Sequence, residues 1–205
     1  MSPFIVKICG ITCEEDARIA VEAGANALGF NFYRKSPRYV APEIAAEIME
    51  RVTGDYLKVG VFVLGRPDAP AGVEALSLDV IQLHGRSEMG EFPPHGRIWR
   101  ALPAGAAALP GGNFEAFLLD TATRGHGGSG QTFDWNLARG LSRRVIVAGG
   151  LDGTNVAEAI RIAQPWGVDA CSRLECAPGK KDAQRVRTFL RAALAAMRAS
   201  EEIKV

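Results

Sequence analysis

The chain is short of the residues that build metal clusters and disulfide frameworks. Its 205 residues hold four cysteines and three histidines. Cys9, Cys13, Cys171 and Cys176 form no Cys-x-x-Cys pair, and His84, His95 and His126 are scattered. That argues against a zinc cluster and against a dense disulfide framework, so no metal is expected and a reducing cytoplasm is the default. An excess of one charge is missing too. The net charge is +1, so no global basic field points to nucleic acid, and any anion site must be local. No apolar run reaches membrane-spanning length. The first residues run into an apolar strand without a basic head or a cleavage site, so the expectation is a chain neither secreted nor membrane-spanning.

What is present is ordinary for a globular protein: 47% hydrophobic and 23% charged residues, with length enough for one domain over 1–205. Strand-like and helix-like stretches alternate throughout. The expected strands are Phe4 to Cys9, Ala27 to Phe32, Leu57 to Val63, Asp79 to Leu83, Arg97 to Ala101, Ala116 to Asp120, Val145 to Ala148 and Val168 to Ser172. Helical patterns run from Glu14 to Ala23, Pro42 to Arg51, Asp68 to Leu76, Ser87 to Phe92, Trp135 to Leu141, Asn155 to Ala163 and Asp182 to Met197. Asp152 or Thr154 is the expected cap of the helix from Asn155. The stretch from Pro103 to Gly112 suggests no regular element. Near-continuously apolar strands imply a parallel sheet covered by helices on its outer side. Eight units of roughly 25 residues predict a closed, eight-stranded (β/α)8 barrel, with an open doubly wound sheet as the competing fold.

A barrel places its chemistry at the C-terminal strand ends. Strand one offers Lys7 and Cys9, which alternation puts on one face while Val6 and Ile8 take the other. An ammonium beside a thiol at an open strand end favours the thiolate. A small buried cysteine next to a snorkelling lysine gives the same pattern. The loop after strand two offers Arg34, Lys35 and Arg38; strand four offers Gln82 and His84. Strand six ends at Asp120, opposite Cys9, which would set a base and an acid across the mouth. Asp120 as a loop-fixing carboxylate is the structural alternative, and His84 before Gly85 equally fits a loop anchor. Gly149-Gly150 after strand seven, with Ser172 and Arg173 after strand eight, suit a phosphate held by backbone N–H groups. Gly127-Gly128-Ser129-Gly130 reads as a flap or as a plain linker.

Taken together, several blocks resemble the phosphoribosylanthranilate isomerases of tryptophan biosynthesis. They are Lys7-Ile8-Cys9-Gly10-Ile11-Thr12, Phe32-Tyr33 with Lys35-Ser36-Pro37-Arg38-Tyr39, and Gln82-Leu83-His84-Gly85. Leu118-Leu119-Asp120-Thr121, Gly127-Gly128-Ser129-Gly130 with Phe133-Asp134-Trp135, Ala148-Gly149-Gly150-Leu151 and Pro178-Gly179-Lys180-Lys181-Asp182 complete the series. The resemblance implies a small (β/α)8 barrel and a cofactor-free Amadori rearrangement of phosphoribosylanthranilate, a small-molecule substrate, by a monomer or homodimer. It implies Cys9 as general base, Asp120 as general acid and Arg38 against the anthranilate carboxylate. Lys7, Gln82, His84, Gly128, Gly149, Gly150, Ser172 and Arg173 are the remaining candidates for contacts with substrate.

Two departures stand out. Where the family usually reads Ser-Ser-Gly-Val-Glu, this chain reads Cys171-Ser172-Arg173-Leu174-Glu175, which predicts added charge at the phosphate from Arg173. In Asn31-Phe32-Tyr33-Arg34, an apolar residue before Phe32 and a proline after Tyr33 are missing. The alternatives are a related sugar-phosphate enzyme of the histidine or tryptophan pathway and a non-catalytic sugar-phosphate-binding barrel. A histidine-pathway isomerase would favour paired aspartates where Cys9 stands, and an indoleglycerol-phosphate synthase needs further strand-end lysines and glutamates.

Overall fold

The computed structural model describes residues 4–63, 71–85, 97–106, 109–121 and 131–202. The expected helix from Ser87 to Phe92, the start of that from Asp68 to Leu76, and the glycine stretch containing Gly128 lie outside these residues.

Eight parallel strands close into a barrel in sequence order. They are β1 (Ile5–Cys9), β2 (Ala27–Asn31), β3 (Leu57–Val63), β4 (Val80–His84), β5 (Arg97–Pro103), β6 (Ala116–Asp120), β7 (Val145–Val147) and β8 (Gly167–Ala170). The β1–β8 ladder, with Ile5 beside Gly167 and Ile8 beside Ala170, makes the closure. Gly167 has no side chain because a Cβ there would lie 2.6 Å from that of Ile5.

Strand alternation divides the apolar residues into two cores. Ile5, Ala27, Val59, Val80, Trp99, Ala116, Leu118 and Ile146 fill the lower lumen. Val6, Ile8, Leu28, Phe30, Leu83, Leu119 and Val147 face outward, against α1 (Glu14–Glu22), α2 (Pro42–Arg51), α3 (Val156–Ala163) and α4 (Ala183–Glu202). The α4 residues Val186, Phe189, Leu190 and Ala193 recur at helical spacing and are fully buried.

The expected alternation holds, with local differences. β5 continues to Pro103 because β6 pairs with it as far as Asp120. The expected helix from Trp135 is a single 3-10 turn, Trp135–Ala138, entered through the Asp134 side chain. Gly140, at φ +72°, turns the chain away soon afterwards. Neither Asp152 nor Thr154 caps α3: the preceding residue is Asn155, and the Asp152 carboxylate accepts the Thr154 N–H instead. β8 stops at Ala170, and a 3-10 turn (Ser172–Leu174) leads into an unforeseen hairpin of β9 (Glu175–Ala177) and β10 (Lys180–Lys181). Asp16 on α1 accepts the Lys181 N–H at 2.8 Å, and Thr12 donates to the Gly179 carbonyl at 2.5 Å. The hairpin is thereby fastened over the β1–α1 turn. No helix among the described residues is long and apolar enough to cross a membrane.

Candidate active site

A cavity of about 190 Å³ opens at the C-terminal end of the barrel. Its walls include Cys9 from β1, Gln82 and His84 from β4, Asp120 from β6, Cys171 after β8, and Arg38 from the loop after β2. These are the lumen-facing positions just above the apolar plug.

Lys7 lies one lumen step below Cys9 and is completely buried. Its ammonium donates to the Asp169 carboxylate on β8 at 2.8 Å. It therefore sits beneath the cavity rather than among its lining residues. Burial opposes its charge, but Asp169 and Cys9 outweigh that and hold the ammonium more firmly protonated than usual. Burial pushes Asp169 up to about 7, with Lys7 limiting the rise. A hydrogen bond with Cys171 draws the Cys9 thiol well below its ordinary range; burial opposes this, and the Lys7 charge reinforces it. Room for the pair comes from Gly29 on β2, the register partner of Cys9. A Cβ at Gly29 would stand 2.8 Å from Cys9 Sγ and 2.9 Å from Lys7 Nζ.

Asp120 faces the same cavity. Burial pushes its carboxyl up, and the Thr121 N–H, donating at 2.7 Å, restrains the rise. Gly149 is pressed against it: at φ +79°, a Cβ there would lie 2.6 Å from Asp120 Oδ1 and 2.8 Å from the Thr121 nitrogen. The bare glycine thus makes space for Asp120 as well as leaving backbone open near the mouth. The Gly150 carbonyl accepts from the Asn155 side chain at 2.9 Å. Ser172 begins the turn after β8, half-buried. The Arg173 guanidinium donates to Asp152 at 2.6 Å, which joins the loops after β8 and β7.

The Arg38 guanidinium makes a two-pronged contact with Glu175 on β9, at 2.9 and 2.8 Å. Its fork is therefore already engaged with a carboxylate at the edge of the cavity. Gln82 Nε2 lies 2.8 Å from His84 Nε2, and the Gln82 amide oxygen is buried with no partner among the described residues. Arg100 on β5 donates to the Leu83 and Gly85 carbonyls, which fixes the backbone on both sides of His84.

Sequence reasoning missed Gly29, Asp169, Cys171, Glu175 and Lys181. Asp169 did leave a signal: it is a lone carboxylate within an apolar strand, as Lys7 is a lone ammonium. The fully buried Lys181 ammonium contacts Glu175 Oε1 at 3.1 Å and Cys171 Sγ at 3.7 Å. Only the β9–β10 hairpin brings it there, and nothing in the local pattern announces that fold-back. Among the described residues, no group of His, Cys, Asp and Glu is placed to hold a metal ion.

A closed parallel barrel with ionisable groups gathered above an apolar plug is the architecture of a (β/α)8-barrel enzyme. Residues 6–192 match the family model described as N-(5'phosphoribosyl)anthranilate (PRA) isomerase. The chain is 50% identical over 204 residues to the N-(5'-phosphoribosyl)anthranilate isomerase of Solibacter usitatus, covering 95% of this chain and 99% of that one. The crystal structure of phosphoribosyl anthranilate isomerase from Thermotoga maritima is similar, with a TM-score of 0.79 at 37% identity over 93% of this chain and 98% of that one. So is a phosphoribosyl anthranilate isomerase in complex with reduced 1-(o-carboxyphenylamino)-1-deoxyribulose 5-phosphate. Its TM-score is 0.75 at 34% identity, over 93% of this chain and 98% of that one. The chain belongs to the phosphoribosylanthranilate isomerase family and is an isomerase of tryptophan biosynthesis.

Proposed function

We propose that the barrel rearranges N-(5'-phosphoribosyl)anthranilate to 1-(2-carboxyphenylamino)-1-deoxyribulose 5-phosphate, with Cys9 as general base and Asp120 as general acid. The observation that carries this reading is the pairing across one cavity of a thiol drawn towards its anion and a carboxyl drawn towards its neutral form. Those are the protonation states the two steps require. Asp120 gives its proton to the furanose ring oxygen, and the ring opens to a protonated imine. The Cys9 thiolate then takes the proton from C2. The electron pair moves into the C1–C2 bond and neutralises the imine, and the resulting enolamine tautomerises to the ketone. No cofactor takes part.

The relative that carries a reduced product analogue supports the substrate class. In this chain Arg38, at the edge of the cavity, receives the anthranilate carboxylate. The loops after β7 and β8, with Gly149, Gly150 and Ser172, receive the phosphate. Arg173 acts there by tying the loops together through Asp152. Gln82 and His84 form the polar wall beside the sugar. The setting proposed is the cytoplasm, in keeping with four unpaired cysteines.

The test is the loss of anthranilate fluorescence when enzyme meets freshly made substrate. The native chain should turn substrate over. Cys9→Ala and Asp120→Asn should each lower kcat by about two to four orders of magnitude. Full activity in either variant would remove that residue from its role.

A further inference from the structure

The second thiol of the mouth has no part in the reaction as written, yet it stands against the first. The β1–β8 ladder runs from Ile5 beside Gly167 to Ile8 beside Ala170, and Cys9 and Cys171 are the residues that follow its last pair. Neighbouring strands are about 4.8 Å apart, so side chains on the same face meet. Both thiols line the cavity. Gly10, at φ +74°, admits the second: a Cβ there would lie 2.9 Å from Cys171 Sγ.

We propose that Cys171 is a positioning residue, donating its S–H to the Cys9 thiolate and so keeping the base ionised and aimed into the cavity. The proposal rests on Cys9 being the base.

The charges around the pair decide which thiol keeps the proton. Cys9 has Lys7 below it on β1, Asp169 on β8, Asp120 across the mouth on β6, and Arg38 and Lys181 within electrostatic reach. Cys171 has Glu175 Oε1 at 3.8 Å; the Lys181 ammonium at 3.7 Å and the Arg38 charge favour its anion, but the hydrogen bond with Cys9 and burial outweigh them. The Glu175 carboxylate is held ionised by Arg38 and Lys181 and opposes a second negative charge beside it. It is also well supplied with better donors, with Arg38 Nε at 2.9 Å, Lys181 Nζ at 3.1 Å and the Gly179 N–H at 3.3 Å on the same oxygen. The thiol proton is therefore best used on Cys9.

The experiment is the pH dependence of iodoacetamide alkylation, read separately at Cys9 and Cys171 by peptide mass spectrometry. In the native protein Cys9 should react with the lower midpoint. In Cys171→Ala the Cys9 midpoint should rise by about one pH unit, so that its alkylation below both midpoints slows about tenfold. Cys171→Ser, which restores a donor, should return most of the shift. An unmoved Cys9 midpoint in Cys171→Ala overturns the proposal. So does a native protein in which Cys171 reacts first, and that result needs no variant to fold. The readout does not depend on turnover. An active Cys9→Ala variant, together with the Cys9 midpoint shift seen in Cys171→Ala, would defeat the base assignment and leave the thiol contact standing.

Discussion

Gly29 sets how closely the two ionisable groups of β1 stand. A methyl group there meets Cys9 Sγ at 2.8 Å and Lys7 Nζ at 2.9 Å. Neither neighbour gives way easily. The thiol is one bond from its backbone-fixed Cβ, and the ammonium is fully buried and tied to Asp169. Gly29→Ala should lower kcat by about a hundredfold through displacement of Cys9, with a stability loss of about 1–3 kcal/mol from overpacking. Steady-state kinetics and urea unfolding on the one variant separate the two effects, and a native kcat would show that the site tolerates the shift. At this scale the sequence was partly legible. Alternation alone set Lys7 and Cys9 on one face. It could not bring Cys171 or Lys181 to them, because those contacts depend on the β1–β8 ladder and on the docking of the hairpin against α1, both between residues more than 160 positions apart.

Between elements, Glu115 is the joint at the lower rim of the barrel. From the residue before β6 it accepts from Arg97 at 2.6 Å and from the buried Trp99 indole at 2.9 Å, both on β5, and from Arg144 at 3.1 Å ahead of β7. Burial raises its carboxyl, but the Arg97 and Trp99 hydrogen bonds outweigh that and hold it below the usual carboxylate range. A folded value below the unfolded one means that the stabilisation is present above the unfolded value and is lost as pH falls through the folded one. The partly exposed ion pairs contribute about 1 kcal/mol at most, and an orphaned indole N–H costs about 1–3 kcal/mol. Glu115→Ala should therefore destabilise by about 2 kcal/mol at pH 7. Glu115→Gln, which keeps an acceptor for Trp99, should lose less and should flatten the fall in stability at acid pH. Thermal melts from pH 7 down to pH 3 check both. Element ends were harder to read than element types. The end of β5 follows its pairing with β6, and the turn at Trp135 shortens because Asp134 and Gly140 bracket it.

The whole molecule was the most legible level, because closing a parallel sheet uses signals that repeat eight times. Apolar strands fix the buried sheet, and the amphipathic faces of α1, α2, α3 and α4 fix its cover. The same closure carries the function proposed for the chain, since it sets β1 and β6 on opposite walls of one cavity. Turnover must follow the protonation states there. Below the point where Cys9 loses its proton the base is blocked, so activity rises with pH through a value depressed from the ordinary thiol range. Above the point where Asp120 loses its proton the acid is spent, so activity falls through a value raised from the ordinary carboxyl range. The most direct measurement follows the pH profile of kcat/KM for the native enzyme alongside the alkylation profile of Cys9 in the same buffers. The acid limb of turnover should coincide with the appearance of the Cys9 thiolate. An acid limb whose midpoint stands well apart from that of Cys9 alkylation would contradict the assignment of Cys9 as the base.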